Sequence, residues 1–384
     1  MKIPLIYNLR SVLHRPATTA ATALGVAFVV LTFVGMLALA NGFRAALIAT
    51  GRPDNLFVLR SGADGEISSG IGRDQAAILR GYPEVAKLAD GRPIASADVY
   101  VVVSKPRMDG SETHMPVRGV GTEATQVRAV RITAGRMFEA GRAEVIVGRG
   151  LAGRMRDTRL GDRLRFGQQD FTVVGHFAAG GGAFESEVWG DAETLMSVFR
   201  GPVYQSMVLR LADPASFETV KARIEGDRRL QLQVKRESDF FAEQSSLLGS
   251  VLRFIAIFVT AIMAVGAVFG AINTMDAMVA ARAREIALLR TLGFGGRSVL
   301  ASFLIESVFV ALIGGVLGCI LALPINGIRT STTNWQSFGE LTFAFRITPE
   351  ILLQGLAFAV IMGLVGGLLP AWRASRQTLA SGLR

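Results

Sequence analysis

The sequence predicts an α-helical integral membrane protein with four transmembrane helices and an α+β extracytoplasmic domain inserted between helices 1 and 2. Half of the 384 residues are hydrophobic and only 19% are charged, whereas soluble domains average about a quarter charged residues. The apolar residues are concentrated in four runs, and the long segment between the first two runs has a mixed strand and helix pattern. These observations place the apolar excess in a membrane and leave one water-soluble domain outside it.

The first run, residues 17–40, contains no charged residue, and about 20 residues are enough for a helix to cross a bilayer. The other predicted spans are residues 254–277, 299–323 and 351–372. A cleaved signal peptide is the competing interpretation of the first run, because Ala38-Leu39-Ala40 resembles a cleavage site. The apolar core of a signal peptide is about 7 to 15 residues, however, so the run is better explained as transmembrane helix 1.

Basic residues exceed acidic ones on one side of the spans, whereas Arg329 and Arg346 on the other side are balanced by Glu340 and Glu350, and this asymmetry predicts the orientation. The flanks carry Glu285 as their acidic residue and the following basic residues: Lys2, Arg10, Arg15, Arg282, Arg284, Arg290, Arg297, Arg373, Arg376 and Arg384. Because cytoplasmic flanks carry the positive excess, both termini and the loop between helices 2 and 3 are predicted to be cytoplasmic. This topology accounts for most of the net charge of +10 without a nucleic-acid partner.

The topology divides the remaining chain into cytoplasmic and extracytoplasmic segments. The cytoplasmic segments are an amphipathic N-terminal helix at 1–16, a coupling loop at 278–298 and a tail at 373–384. The extracytoplasmic segments are the large domain with its stalk at 41–253 and a loop at 324–350. For the helix at 1–16, a simple basic flank is an equally good interpretation.

The large domain contains short β-branched runs bounded by Gly, Pro or Asp, which is the pattern of strands. They are residues 56–59, 99–103, 116–120, 144–147, 171–174 and 207–211, with helical patterns at 192–199 and 214–225. Three consecutive glycines at 180–182 predict a tight turn or flexible joint. The arginine-rich stretch 149–165 also contains Asp157 and Asp162, so a solvated face with local ion pairs is favoured over a site for an anionic partner.

Several kinds of chemistry are disfavoured by the residues present. Cys319 is the single cysteine, and His14, His114 and His176 share no metal-ligand spacing, so no metal or cofactor site is predicted. A phosphate-binding loop requires a Gly-Lys pair, and none occurs. A membrane enzyme is the least favoured class, because no nucleophile and base form a recognisable pattern.

Two carboxylates, Asp276 and Glu306, fall within the predicted spans. Glu306 is expected to be bonded to Asn273 or to a basic residue near the cytoplasmic ends such as Arg297, and a proton or ion relay with Asp276 is the alternative. Small residues also recur at four-residue spacing in every span, which allows a tight helix bundle or a dimer.

The loop from Ala283 to Phe294 predicts a short amphipathic helix that ends near Gly293, with Ile286, Leu289 and Gly293 on one face. Such a helix suits docking into a groove of another protein. An interfacial helix resting on lipid headgroups fits the residues equally well.

The run Arg284-Glu285-Ile286-Ala287-Leu288-Leu289-Arg290-Thr291-Leu292-Gly293 closely resembles the coupling helix of the ABC-transporter permease family that includes MacB, the lipoprotein-release permeases and FtsX. The resemblance continues through Glu306, Gly314–Gly318 and Gly366–Ala374. In the outer domain it is carried by Arg118-Gly119-Val120, Ala134–Phe138, Glu144–Gly148, Leu160-Gly161-Asp162 and Phe171–Gly175. It therefore spans nearly the whole chain.

The resemblance implies a dimeric permease of the bacterial inner membrane, working by mechanotransmission and offering its substrate no path through the bilayer. The implied contacts to a cytoplasmic ABC ATPase are Arg284, Glu285, Ile286, Leu289, Arg290, Leu292 and Gly293. ATP and Mg²⁺ are expected on that ATPase, which we predict to be a separate polypeptide. A second copy of the chain, a periplasmic adaptor protein and membrane lipids are the other expected partners. The alternative is an ATPase-coupled scaffold or sensor that regulates an extracytoplasmic enzyme without transport.

Overall fold

The computed structural model describes residues 16–376 except 129, 200, 335 and 336. The amphipathic helix predicted at 1–16, apart from Pro16, and the end of the predicted tail lie outside the described residues. The chain divides into two units. The membrane unit contains residues 16–41, 250–328 and 345–376, and the outer domain contains residues 42–249 and 329–344.

The α-helices and β-strands are numbered in chain order. The helices are α1 Pro16–Ile48, α2 Arg73–Arg80, α3 Ala124–Arg128, α4 Ala192–Phe199, α5 Phe217–Gly226, α6 Glu237–Ala281, α7 Ala283–Thr291, α8 Gly296–Ala322 and α9 Pro349–Arg376. The strands are β1 Asn55–Arg60, β2 Ala95–Pro106, β3 Glu112–Val120, β4 Arg131–Gly135, β5 Glu144–Gly148, β6 Arg163–Phe166, β7 Gln169–Ala178, β8 Val188–Asp191, β9 Ser206–Arg210, β10 Leu232–Arg236, β11 Arg329–Thr333 and β12 Glu340–Ala344.

Four helices, α1, α6, α8 and α9, are long and apolar enough to cross a membrane. Each corresponds to one predicted span and extends beyond it at one end or both, and α6 is the longest at 45 residues. Helix α9 begins at Pro349, whose fixed φ suits the first turn of a helix. The four predicted membrane helices are therefore present.

Small residues bring α8 close to α1. A Cβ added at Gly314 would lie 2.5 Å from the carbonyl oxygen of Ala23, and one added at Gly318 would lie 2.6 Å from that of Ala27. By contrast, a Cβ at Gly266 on α6 would meet no heavy atom within 4 Å. The recurring small residues thus have a packing role on α8 that Gly266 does not share within this chain.

The outer domain is built on a ten-stranded mixed sheet. Its strand order is β10-β1-β9-β2-β3-β8-β5-β7-β4, with β6 paired to β7. The β3–β8 and β5–β7 pairs are parallel and the other pairs are antiparallel. Helices α2 and α5 contribute Leu79, Val220 and Ile224 to the apolar core that also contains residues of β1, β9 and β10.

Asp98 of β2 and Arg118 of β3 belong to a buried layer of charged side chains. Arg118 donates to both carboxylate oxygens of Glu66, at 2.5 and 2.9 Å, and to both of Glu187, at 2.8 and 2.9 Å. Asp98 lies 3.4 Å from Arg118 and 2.5 Å from Arg128. Burial alone would raise the pKa of Glu66, but Arg118, Ser206 and Arg128 together outweigh burial and hold that pKa below its usual value.

The outer ends of α1 and α6 meet within this domain. A Cβ at Gly51, just after α1, would lie 2.5 Å from the backbone oxygen of Glu237, the first residue of α6. The Glu237 carboxylate accepts from the amide of Asn55 at 2.8 Å and from the backbone N–H of Arg52 at 3.2 Å. The start of α6 is thus bonded to the segment that leads from α1 into the sheet.

All six predicted strands of the outer domain are present, with ends that differ by a few residues from the predicted ones. Four further strands, β4, β6, β8 and β10, complete the sheet. Gly180 and Gly181 have φ of +64° and +83°, so the predicted tight turn at 180–182 uses backbone conformations that favour glycine. The predicted loop at 324–350 contains an additional β-hairpin, formed by β11 and β12.

Candidate coupling helix

The short helix α7 lies between the spanning helices α6 and α8 in the membrane unit. Its end has a defined geometry: Gly293 has φ of +92°, its N–H donates to Arg290 O at 3.2 Å, and Phe294 N–H donates to Leu289 O at 3.1 Å. This is the Schellman arrangement, in which a left-handed residue closes the helix. Gly293 therefore terminates the helix, as its place in the sequence predicts.

The exposed face of α7 differs from the predicted one. Ile286 is only 3% exposed and packs in an apolar cluster with Met278, Val299 and Ala371, which come from the ends of α6, α8 and α9. Ile286 is therefore covered by neighbouring helices of the membrane unit, and its contact with an ATPase stays a prediction. Leu288 and Leu292, four residues apart, are 61% and 62% exposed.

The other predicted contact residues fall into two groups. Arg284, Leu292 and Gly293 are exposed, while Glu285, Leu289 and Arg290 are partly buried. Arg284, Leu288 and Leu292 share one face because residues four apart are neighbours on a helix. Leu288 was absent from the predicted set, although this spacing is a signal that could have identified it.

A charged cluster ties α7 to α8. Arg282, between α6 and α7, donates from Nε to Glu285 at 2.8 Å and from Nη1 to Glu306 at 2.9 Å. The guanidinium also lies 5.5 Å from the centre of the Phe303 ring. Burial and the negative charge of Glu306 raise the pKa of Glu285 above its usual value. Arg282 thus bridges the start of α7 and the middle of α8.

This arrangement gives Glu306 a partner of the predicted kind. The carboxylate is 3% exposed and pairs with Arg282, a basic residue near the end of α6, as the sequence predicts in naming a basic residue such as Arg297. Asp276 pairs instead with Arg373 of α9 at 2.6 Å. The two intramembrane carboxylates therefore belong to separate ion pairs, which favours a structural role over a relay between them.

Two arginines of the stretch 149–165 are used within the outer domain, since Arg149 pairs with Glu185 at 2.6 Å and Arg154 donates to Ser331 at 2.8 Å. Within the part of the chain that the structure describes, no group of three His, Cys, Asp or Glu residues could hold a metal ion.

Two family models together match most of the chain. Residues 19–227 match the MacB-like periplasmic core domain, and residues 257–379 match the FtsX-like permease C-terminal region. The first match includes most of α1 and the outer domain from β1 to α5, and the second includes the later half of α6 with α7, α8 and α9.

Curated relatives and a solved structure are similar to the chain. The macrolide export ATP-binding/permease protein MacB of Bordetella avium is 25% identical over 93% of this chain and 56% of its own length. The pyoverdine export ATP-binding/permease protein PvdT of Pseudomonas entomophila is 26% identical over 93% of this chain and 56% of its own. The crystal structure of the periplasmic region of MacB from Actinobacillus actinomycetemcomitans covers 52% of this chain and 95% of its own, with 10% identity and a TM-score of 0.39.

The chain thus spans a little over half the length of these curated relatives. It combines four membrane-spanning candidates, an α+β domain between the first and second of them, and both family regions in the expected order. The chain is therefore a multi-pass membrane protein that belongs to the MacB-like family of ABC transporter permeases.

Proposed function

We propose that this chain is the permease subunit of an ABC transporter in which a cytoplasmic ATPase drives movement of the outer domain. The observation that carries the proposal is the exposed face of α7, made by Arg284, Leu288 and Leu292. Leucines exposed to this extent next to a cationic side chain form a compact surface suited to a groove on another protein.

The proposed coupling begins at this face. A push on α7 is passed through Arg282 to Glu285 and Glu306, because the guanidinium bridges the two carboxylates. Ile286 passes the same push to the ends of α6, α8 and α9 through apolar contacts. Helix α7 therefore moves with the spanning helices instead of sliding over them.

The movement then reaches the outer domain along α6. This helix begins at Glu237, which is buried and bonded to Asn55 of β1, so a displacement of its outer end acts on the sheet. In this scheme the chain binds no nucleotide: ATP and Mg²⁺ reside on the ATPase, which we propose to be a separate polypeptide. Two copies of the chain, inserted with both termini in the cytoplasm of a bacterial inner membrane, form the working unit.

The outer domain engages the substrate or a periplasmic adaptor protein in this proposal. Relatives named for export of macrolides and of pyoverdine indicate export or extraction of a substrate as the direction of work. Export by mechanotransmission requires the outer domain to move and requires no substrate path between the spanning helices.

The test is a coupling assay with the ATPase encoded nearest to this chain, both reconstituted in lipid nanodiscs. Leu288→Asp and Leu292→Asp place charge on the proposed contact and should each abolish copurification and lower permease-stimulated ATP hydrolysis at least tenfold. Leu160→Asp changes another exposed leucine, in the outer domain, and should leave both measurements unchanged. Full stimulation by both α7 variants would refute the proposed contact.

The same complex discriminates transport from regulation. Export predicts ATP-dependent loss of a bound small molecule or lipoprotein from the membrane fraction. A scaffold predicts intact ATPase coupling together with activation of an added extracytoplasmic enzyme and no such loss.

A further inference from the structure

The hairpin formed by β11 and β12, residues 329–344, is inserted between the spanning helices α8 and α9. Its strands pair antiparallel from Arg329 opposite Ala344 to Thr333 opposite Glu340. Although its neighbours in the chain belong to the membrane unit, the hairpin makes its contacts within the outer domain. The connection between α8 and α9 is therefore more than a surface loop.

Polar contacts anchor the hairpin through Glu340, which is only 4% exposed. Its carboxylate pairs with Arg107 Nη2 at 3.0 Å and accepts from Thr113 Oγ1 at 2.6 Å. Arg154 donates to Ser331 Oγ at 2.8 Å and lies 3.7 Å from the Glu340 carboxylate. A carboxylate this deeply buried is stable only with such partners, so these contacts specify one docked position.

Apolar and backbone contacts complete the docking. The Phe343 ring lies edge-on to Phe43 with 5.5 Å between ring centres, and both rings are buried. The backbone N–H of Thr342 donates to Ser186 Oγ at 2.7 Å. At Gly339 an added Cβ would lie 2.5 Å from Pro116, so a side chain there would force the hairpin away from β3.

The other ends of the hairpin are held in the membrane unit. The linkers 323–328 and 345–348 bond to each other, with Phe345 N–H donating to Ile328 O at 3.0 Å. The second linker is bonded to α1, since Arg346 N–H donates to Ala38 O at 3.1 Å. Four residues can extend by about 14 Å at most, and these bonds remove much of that slack.

We infer that the docked hairpin is a mechanical connection in addition to the one made by α1 and α6. It transmits movement of α8 and α9 to the outer domain. The inference rests on the proposed function for the source of the movement, whereas the docking stands on the contacts of Glu340 and Phe343. The residues that act in it are positioning residues: Arg107, Thr113 and Glu340.

The experiment uses the full chain with its ATPase in nanodiscs and measures hydrogen exchange of backbone amides. Glu340→Lys sets a cation against Arg107 and Arg154, and amides of residues 329–344 should exchange at least tenfold faster. Arg107→Glu combined with Glu340→Lys restores one opposite-charge pair and should recover part of the protection. Glu139→Lys, at an exposed carboxylate, is the matched control and should change nothing in the hairpin.

The coupling is read from the change in exchange of β2 and β3 between nucleotide-free and vanadate-trapped complexes. Glu340→Lys should reduce this change at least twofold while ATP hydrolysis stays within twofold of wild type. A full nucleotide response with an undocked hairpin would overturn the inference, as would unchanged hairpin exchange in Glu340→Lys. If the wild-type chain shows no nucleotide response, the proposed function fails and the coupling role with it, while the exchange rates without nucleotide still decide the docking.

Discussion

Replacing Arg118 by methionine should sharply destabilise the outer domain. Arg118 is buried and bonds Glu66 and Glu187 in bidentate fashion, with Asp98 at 3.4 Å. At an effective dielectric constant of about 20, one such pair at about 2.8 Å is attracted by about 6 kcal/mol before desolvation is subtracted. Methionine leaves the carboxylates buried without this partner, and breaking a buried pair from one side costs about 3 to 5 kcal/mol.

The expected loss is large enough to measure by thermal unfolding. For a domain of this size about 1 kcal/mol shifts Tm by roughly 2 to 4 °C, so Arg118→Met should lower Tm by about 6 to 20 °C. Trp189 is buried and donates from Nε1 to Glu187 at 2.7 Å, so its fluorescence reports on this layer. The assay is fluorescence-detected unfolding of the full chain in detergent.

Arg229→Met is the matched control, because Arg229 also pairs with an acid, Asp227, but is 79% exposed. An exposed pair contributes little, so the control should shift Tm barely at all. The pH dependence follows from Glu66, whose pKa is lowered in the folded chain. Its stabilising contribution is present above the usual pKa near 4.5 and is lost as pH falls through the lowered pKa. The difference in Tm between the wild-type chain and Arg118→Met should therefore become smaller in acid. If Arg118→Met and Arg229→Met shifted Tm equally at pH 7, the reasoning about buried charge would be refuted.

Three further predictions concern the membrane unit and the hairpin. Arg282→Met should lower the free energy of unfolding of the membrane unit by about 3 to 5 kcal/mol in a detergent titration, because it leaves the Glu306 carboxylate, 3% exposed, without its partner. Adding Glu306→Leu should recover most of this loss. Equal instability of the single and double variants would contradict the pairing. Gly318→Val should lower the free energy of unfolding by about 1 to 3 kcal/mol, because its Cβ would lie 2.6 Å from Ala27 O. Gly266→Val has open space around it within a single chain and should change the stability of that chain little. Equal thermal shifts of the two variants would argue against close packing of α8 on α1. Burial alone would raise the pKa of Glu340, but bonds from Ser331, Thr113 and Arg107 keep it below its usual value near 4.5. Amide exchange in residues 329–344, corrected for its intrinsic rate, should therefore rise as pH falls below that value. Exchange that is insensitive to acid would contradict an anchoring carboxylate.

Much of the architecture was predictable because its signals are local. A span needs only a long apolar run, and strands such as β5 are continuous β-branched runs between turn residues. The missed strands lack that signal: β10 reads Leu-Gln-Val-Lys-Arg, and β4 is largely exposed. They are strands because neighbouring strands supply their hydrogen bonds, which composition does not reveal. The hairpin strand β11, Arg-Thr-Ser-Thr-Thr, also lacks an apolar signal, and its pairing with β12 makes it a strand.

The position of α7 in the chain was predictable from the sequence, but which of its side chains are exposed was not. Ile286 and Leu288 have similar side chains, and the choice of which is buried depends on where the ends of α6, α8 and α9 lie. The partner of Glu306 depends on the same tertiary arrangement, because Arg282 reaches it across 24 positions in sequence. Motif position therefore located α7, whereas its exposed face required the packed bundle.

The most direct test of the central claim, that α7 docks on an ATPase, is cysteine cross-linking in intact membranes. The natural cysteine, Cys319, is replaced by serine, and single cysteines are placed at Leu288 or at Ser111 of the outer domain. Leu288→Cys should form a cross-link with the ATPase. Ser111→Cys should form no such cross-link and should react with a membrane-impermeant thiol reagent added from outside the cell membrane. A cross-link to the ATPase from position 111, or none from position 288 in an assembled complex, would contradict the account.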